Sequence, residues 1–516
     1  MPQYNERQQI FCLNRASNMA DFFQTGTIDV GSEEELQSLV SKRLTALLSD
    51  KRTQKLIGEW EIVWGPAIHQ HGSDKSQSKF LGAQDPYSQV SLVADNGLYI
   101  AKYKGDSPKD RYIIAITETN AFSWYGWLVE NSFAKSTTWN KGKPWLDDDE
   151  DSQANMRIGD GSSKVLEIIY EKLEYDKKSF LDYLRDLVKD YDKGKISIAI
   201  SGHSQGAVLT PLVALSLIER RSEWDPEEKV DLLAVPTAFS AIGNAEFAKY
   251  YESKLLDQTD AILNKRDLLT TWWSKDTIEE GRKIYHPDIR PNTLINSFID
   301  LLLHKVRDEE YHHVTWKQEQ FDIGFQPDAS DSLTYSDIID LVSNLIGQLI
   351  LHYTGIGKYS SQLFSSLVTK YLKPLLKELD GSGFLLDRFY FWGPMGPVLE
   401  ESVDSMVDIL CWNSSFTLDS DPEELKMNIL RILWGLPNFI HYILQELHQH
   451  EVAFIKYLEV PEFFELIREI SKDIKYGDSP LKQAYSNLGE IFYKSELEDL
   501  SNSDWFFTKQ RKISYQ

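Results

Sequence analysis

The stretch KISIAISGHSQGAVLTPLVALSL, residues 195–217, constrains this chain more than any other. Ile196 to Ile200 is a compact β-branched run that reads as a buried strand, and the apolar run after Gly206 reads as a buried helix. Only a very sharp turn joins two such elements across G-H-S-Q-G. Side chains two residues before and two after Ser204 would collide in it, which explains Gly202 and Gly206. The turn projects Ser204 from the carboxyl edge of a sheet, and the N–H of Gln205 opens the helix, where unpaired amides and the helix dipole stabilise negative charge. G-x-S-x-G arises by chance about once in three thousand positions, and the flanking strand and helix make coincidence rarer still.

The rest of the chain fits an α/β architecture. Short apolar or alternating runs at Glu59 to Gly65, Ser91 to Tyr103, Tyr112 to Thr117, Val230 to Pro236 and Asp260 to Leu263 read as strands. Helical periodicity fills Lys164 to Lys193 and Ala245 to Leu256, so strands and helices alternate as in a mostly parallel sheet covered on both faces. Ser32 followed by Glu35, with Leu36, Leu39, Val40 and Leu44 at helical spacing, predicts an opening helix with a capping box. Beyond residue 270 the character changes. Ile338, Leu341, Val342, Leu345, Ile346 and Leu349 form one helical stripe, and Leu363, Leu367, Tyr371, Leu375 and Leu379 another. The expected division is an N-terminal helical segment (1–58), a core (59–270), a mostly helical insertion or cap (271–440), and a C-terminal part of the core with the tail (441–516).

Composition excludes several classes of function. A net charge of −24 removes the Lys and Arg excess on which sequence-independent nucleic-acid binding depends, so no nucleic-acid partner is expected. An apolar fraction of 42% with 12% aromatic residues fits a packed globular protein. The first residues carry no basic-then-apolar pattern, no run reaches the length of a membrane span, and Cys12 and Cys411 read as free thiols; a cytoplasmic protein is the expectation.

The elbow and its surroundings resemble the class 3 lipases, which are α/β-hydrolases. IIAITETNAFSWYGWLVE, residues 113–130, is similar to that family's oxyanion strand and loop, and the resemblance implies that the Thr119 backbone N–H joins that of Gln205 in an oxyanion hole. Thr117 and Glu118 stand where the family usually has Arg and Gly. VPTAFSAIGNAEFAKYY resembles the stretch leading to the family's triad acid, which maps onto Asp267 in N-K-R-D. HQHEVAFIKYLEV resembles the final pattern of a His opening a helix, which implies His450 as base; His313, in EYHHVTW, is the alternative base. The long interval between acid and base holds the helical insertion, which is expected to cap an acyl pocket.

What the resemblance implies is a serine ester hydrolase, lipase-like, working through an acyl-enzyme with Ser204, His450 and Asp267. Its partners would be a lipid or small ester, with transient contact at a lipid interface, and it would need no metal and no organic cofactor. His69-x-His71 and His448-x-His450 permit a metal reading, but no Cys or carboxylate pattern at ligand spacing accompanies them. Two other readings remain open: a phospholipase or acyltransferase on the same residues, and a non-catalytic relative serving as a scaffold, which the altered Thr117 and Glu118 keep possible. Acyl length, head group and oligomeric state are not legible.

Overall fold

The computed structural model describes residues 2–20, 25, 29, 31–70, 94, 96–118, 135–146, 155–189, 191–315, 319–326 and 436–474. The helical stripes expected between 338 and 379, the candidate Thr119, His71 and Cys411 lie outside them.

Three helices come first: α1 (Glu6–Ala16), α2 (Glu33–Ser49) and α3 (Lys51–Ile57). The Ser32 hydroxyl accepts the Glu35 N–H at 3.3 Å while Glu35 Oε2 accepts the Ser32 N–H at 2.8 Å, the capping box read from the sequence. Helix α1 was not legible. Its C-terminal half is buried all round, Asn14 and Arg15 included, so it has no apolar stripe to detect.

Seven described strands form one sheet in chain order: β1 (Trp60–His69), β2 (Asn96–Tyr103), β3 (Asp110–Ile116), β4 (Ile196–His203), β5 (Val230–Thr237), β6 (Ile262–Asn264) and β7 (Glu319–Phe321). Strands β1 to β3 pair antiparallel, and from β3 to β7 every pairing is parallel. The parallel centre is buried on both faces, which is why β3, β4 and β5 read as near-continuous apolar runs. Alternation divides them. Ile114, Ile116, Ile198 and Ile200 face a core with α4 (Asp160–Glu167), α5 (Phe180–Lys189), α6 (Gln205–Glu219) and α7 (Ala245–Leu255). Ile113, Ala115, Ala199 and Val235 face a second core with α1, α2, Phe454 and Phe463. N-terminal helices, sheet and C-terminal helices thus share one apolar layer, in which the Cys12 thiol is free and buried.

The single helix expected over 164–193 is two helices. After α4 the chain makes a π turn at Ile168–Lys172, and Glu174–Tyr175 then pairs with Lys178–Ser179 in a tight hairpin. Asp176 and Lys177 both have positive φ, 50° and 59°, the hand that suits a two-residue hairpin turn. Helix α8 (Thr293–Lys305) follows β6, and α9 (Leu436–Leu447) and α10 (Pro461–Asp473) close the described chain. No described helix is long and apolar enough to cross a membrane.

Candidate active site

Ser204 sits between the end of β4 and the first residue of α6, with φ 55° and ψ −120°. A side chain in that region of backbone space carries about 1–3 kcal/mol of strain, which the surrounding structure must hold. Hydrogen bonds do so: the Ser204 N–H donates to the Thr237 carbonyl at 3.1 Å, and the Ser204 carbonyl accepts from Ala207 and Val208 at 3.0 and 3.2 Å. A Cβ on Gly202 would lie 1.9 Å from the Gly206 carbonyl oxygen, and one on Gly206 would lie 2.8 Å from that of Ile116. Both glycines are therefore demanded by the turn and its packing on β3.

Asp267 follows the end of β6 and is fully buried. Its Oδ1 accepts the Leu269 N–H at 3.0 Å, capping the short turn Leu268–Thr271, and its Oδ2 lies 2.9 Å from His450 Nδ1. His450 is carried in the π turn His448–Val452 that extends α9, a local widening often found where a side chain must be re-aimed. The Asp267 contact fixes Nδ1 as the protonated nitrogen and leaves Nε2, which is buried and has no hydrogen-bond partner among the described residues. Burial opposes a charged ring here, yet Asp267, by charge and hydrogen bond, together with Glu451 and Glu446, outweighs it and pushes the imidazole up to about 9.

His203, immediately before the serine, is wholly buried and packs on His450 with ring centroids 4.9 Å apart. Burial, with the charges of Arg15 and His450, drives its pKa well below the usual imidazole range. The neutral ring therefore donates from Nε2 to the His450 carbonyl at 3.0 Å and accepts at Nδ1 from the Thr237 hydroxyl at 2.9 Å. The residue beside the serine thus holds the backbone of His450.

Several contributors were not legible as site residues. Asn264, at the end of β6, donates to both the carbonyl and the side-chain oxygen of Gln449, each at 2.8 Å. Glu446, also buried, accepts the Leu268 N–H at 2.7 Å, the Leu269 N–H at 3.0 Å and the Tyr285 hydroxyl at 2.7 Å. On the other side of the serine, Asn14 of α1 donates to the carbonyls of Ile116 and Ser201, tying the ends of β3 and β4. Asn18 accepts the Glu118 N–H at 3.0 Å, and the buried Arg15 pairs with both Glu118 and Glu451. The buried carboxylate of Glu118 thus has its cation on α1.

Gln205 is the first residue of α6, where helix amides have no intrahelical acceptor. Beside it opens a small cleft lined by Gln205, Val208, Ala241, Ile242, Trp273 and Tyr311, among others. His313 is placed elsewhere: its Nε2 meets the Thr277 hydroxyl at 3.0 Å, and burial lowers it to about 4. His450, not His313, is the histidine on Asp267. Two described groups have metal-ligand composition, His203 with His450 and Glu451, and Asp267 with Glu446 and His450. Their carboxylates are engaged within the protein, Asp267 by His450 and Leu269, Glu446 by two amides and Tyr285, Glu451 by Arg15, so both groups are hydrogen-bond networks. Of the two pairs noted in the sequence, His69 contacts Glu33 at 3.6 Å, and His448 contacts Lys456 at 3.4 Å.

Residues 133–276 match the family model described as Lipase (class 3). A sequence comparison with curated proteins finds no match. Among solved structures, the chain is similar to that of M37 lipase, with 20% identity over 68% of this chain and 91% of that one and a TM-score of 0.50. A mutant form of MDLA from Penicillium cyclopium aligns at 16% identity over 62% of this chain and 80% of that one, with a TM-score of 0.30. For the Rhizomucor miehei triacylglyceride lipase the figures are 16%, 47%, 75% and 0.27. The sheet, the elbow and the first of these likenesses establish the α/β-hydrolase fold, and the match over residues 133–276 bears out the resemblance to the class 3 lipases as a lipase-type hydrolase.

Proposed function

We propose that this chain hydrolyses lipid carboxylic esters through an acyl-enzyme on Ser204, with His450 as base and Asp267 as the acid that orients it. The observation carrying the reading is the buried His450 ring, held by Asp267 at 2.9 Å through Nδ1 and packed against the residue preceding the serine. In the first half-reaction the Ser204 hydroxyl proton passes to Nε2 as the oxygen bonds to the ester carbonyl carbon. The carbonyl oxygen, now an anion, is held by the N–H groups of Gln205 and Thr119. Collapse of this intermediate breaks the bond to the alcohol, which leaves with the proton from Nε2. Water then gives a proton to Nε2 and attacks the acyl carbon, and the second collapse releases the acid while Ser204 regains its proton.

Val208, Ala241, Ile242 and Trp273, which line part of the cleft beside Gln205, support an apolar group of the ester next to the serine. The class 3 family implies lipid esters in the same way. The test is fluorophosphonate labelling and p-nitrophenyl ester hydrolysis by wild type, Ser204→Ala, His450→Ala and His313→Ala. Loss with the first two variants and retention with the third is expected. A wild-type protein that neither labels nor hydrolyses any ester of the series would end the enzyme reading in favour of a scaffold.

A further inference from the structure

We propose that Glu446 is a second buried acid of this site, a positioning residue that holds the Asp267 turn and places another carboxyl beside the His450 imidazole. It rests on the reading of His450 as the base.

The juxtaposition is close. A carboxylate oxygen of Asp267, one of Glu446 and a ring nitrogen of His450 all lie within 4.8 Å of one another, and all three residues are buried. Glu446 stands four residues before His450, near the end of α9, so the helix brings both to one side as it passes into the π turn. The Leu269 N–H lies 3.0 Å from Asp267 Oδ1 and 3.0 Å from Glu446 Oε1, so one amide is shared by the two acids. Leu268, next to Asp267 in sequence, donates its N–H to Glu446 Oε2, which also accepts the Tyr285 hydroxyl. The turn that presents Asp267 is thus fastened to the helix that presents His450.

Two carboxyls facing one imidazole do more than fix a distance. In a site closed to water, a negative charge beside the ring favours the protonated ring, which is the form His450 takes while it holds the serine proton. Burial and the charge of Asp267 hold Glu446 above the usual carboxyl range, opposed by His450, Tyr285 and the Leu268 amide. Glu446 therefore shares protons with its neighbours over the pH range where the base must work. The groups facing this cluster are Asp267 from the turn, Tyr285 from the segment after it, and Tyr442 and His450 from the helix of Glu446 itself. On the far side of His450 stand Glu451 and the neutral His203, with Arg15 bonded to Glu451.

The experiment compares wild type, Glu446→Gln, Tyr285→Phe, Asp267→Asn and the Asp267→Asn/Glu446→Gln double variant. It reads the His450 titration by NMR and the pH dependence of kcat/KM on a soluble ester. In Glu446→Gln the His450 titration and the acid limb of the profile should move down together by about one pH unit, the size of shift a close buried charge produces. Tyr285→Phe, which keeps both carboxyls but removes a donor from Glu446, should move them the same way by less, and it serves if the Gln variant folds poorly. Asp267→Asn should retain residual activity that the double variant reduces about tenfold further, Glu446 being the remaining acid. An unmoved His450 titration in both Glu446→Gln and Tyr285→Phe, with only thermal stability lowered, would overturn the proposal and leave Glu446 as a turn cap. If instead His450→Ala labels like wild type, the base assignment falls, while the NMR arm still reports whether Glu446 acts on the imidazole.

Discussion

Asn264 and Gln449 are joined by two hydrogen bonds of 2.8 Å, from one amide to the carbonyl and the side-chain oxygen of its partner. Asn264 ends the strand that leads to Asp267, and Gln449 directly precedes His450, so the bond pair sets the separation of acid and base. Gln449 is itself held by Gly324 and Gln445 and has no freedom to follow a shifted partner.

Asn264→Ala should therefore leave buried acceptors on Gln449 unmet. A loss of about 2–3 kcal/mol in denaturant unfolding is expected. Because small misplacements in an acid–base pair are costly, kcat should fall on the order of 100-fold with KM little changed. A variant with wild-type kcat would mean the acid and base are aligned without this tether.

Ser204 holds a positive φ that glycine accepts freely. Ser204→Gly should exceed Ser204→Ala in unfolding free energy by about 1 kcal/mol, although glycine normally costs stability through the unfolded chain. Neither variant should label. Equal stability of the two, measured by urea titration, would show that the elbow stores no backbone strain.

Alkaline pH should act on activity and stability in opposite directions. With His450 pushed up to about 9, kcat/KM should rise with pH and level off above that value, because only the neutral ring accepts the serine proton. The folded pKa of His450 lies above its unfolded value, so its contribution to stability is complete below pH 6.5 and is lost as pH rises through about 9. Glu446, also raised on folding, acts in the same sense, being most stabilising when protonated. The melting temperature should fall across the range in which turnover rises. A melting temperature that climbs between neutral pH and pH 10 would contradict this ordering.

Arg15 faces two carboxylates, Glu118 and Glu451, in a site where its own side chain is almost wholly buried. Arg15→Met should cost about 3–5 kcal/mol, since both acids lose their cation inside the protein. Adding Glu118→Gln and Glu451→Gln should restore much of the stability. If the single variant unfolds at the wild-type denaturant concentration, the ion group contributes nothing that solvent does not replace.

What could be read in advance was whatever a short stretch of chain declares by itself. Ser204 lies between two glycines that steric collision alone requires, and the parallel strands announce themselves because both faces are buried. Asp267 and His450 stand in local patterns and meet in the structure. Asn264 and Gln449 stand in the same two patterns, but their pairing with each other does not show there, and Glu446 and Arg15 carry no local signature, since each matters only through partners brought near by the fold: Arg15 and Glu451 are 436 residues apart. The single helix read over 164–193 failed for a related reason. The apolar positions behind it, Ile168, Ile169 and Leu173 in and just after the π turn and Phe180, Tyr183, Leu184 and Leu187 on α5, are separated by a hairpin whose two positive-φ residues, Asp176 and Lys177, are neither Gly nor Asn. Strand β7, three residues with Glu and Gln beside Phe321, was too short and too polar to register.

The latch formed by Asn14, Arg15 and Asn18 has a consequence for the order of biosynthesis. These residues are made well before their partners: the strand ends they bind come about a hundred or more residues later, and Glu451 comes 436 residues after Arg15. A growing chain can complete its sheet and its elbow while the histidine that would deprotonate Ser204 is still untranslated. The arrangement around Ser204 is therefore complete only once Arg15 and Glu451, 436 residues apart, have closed on each other.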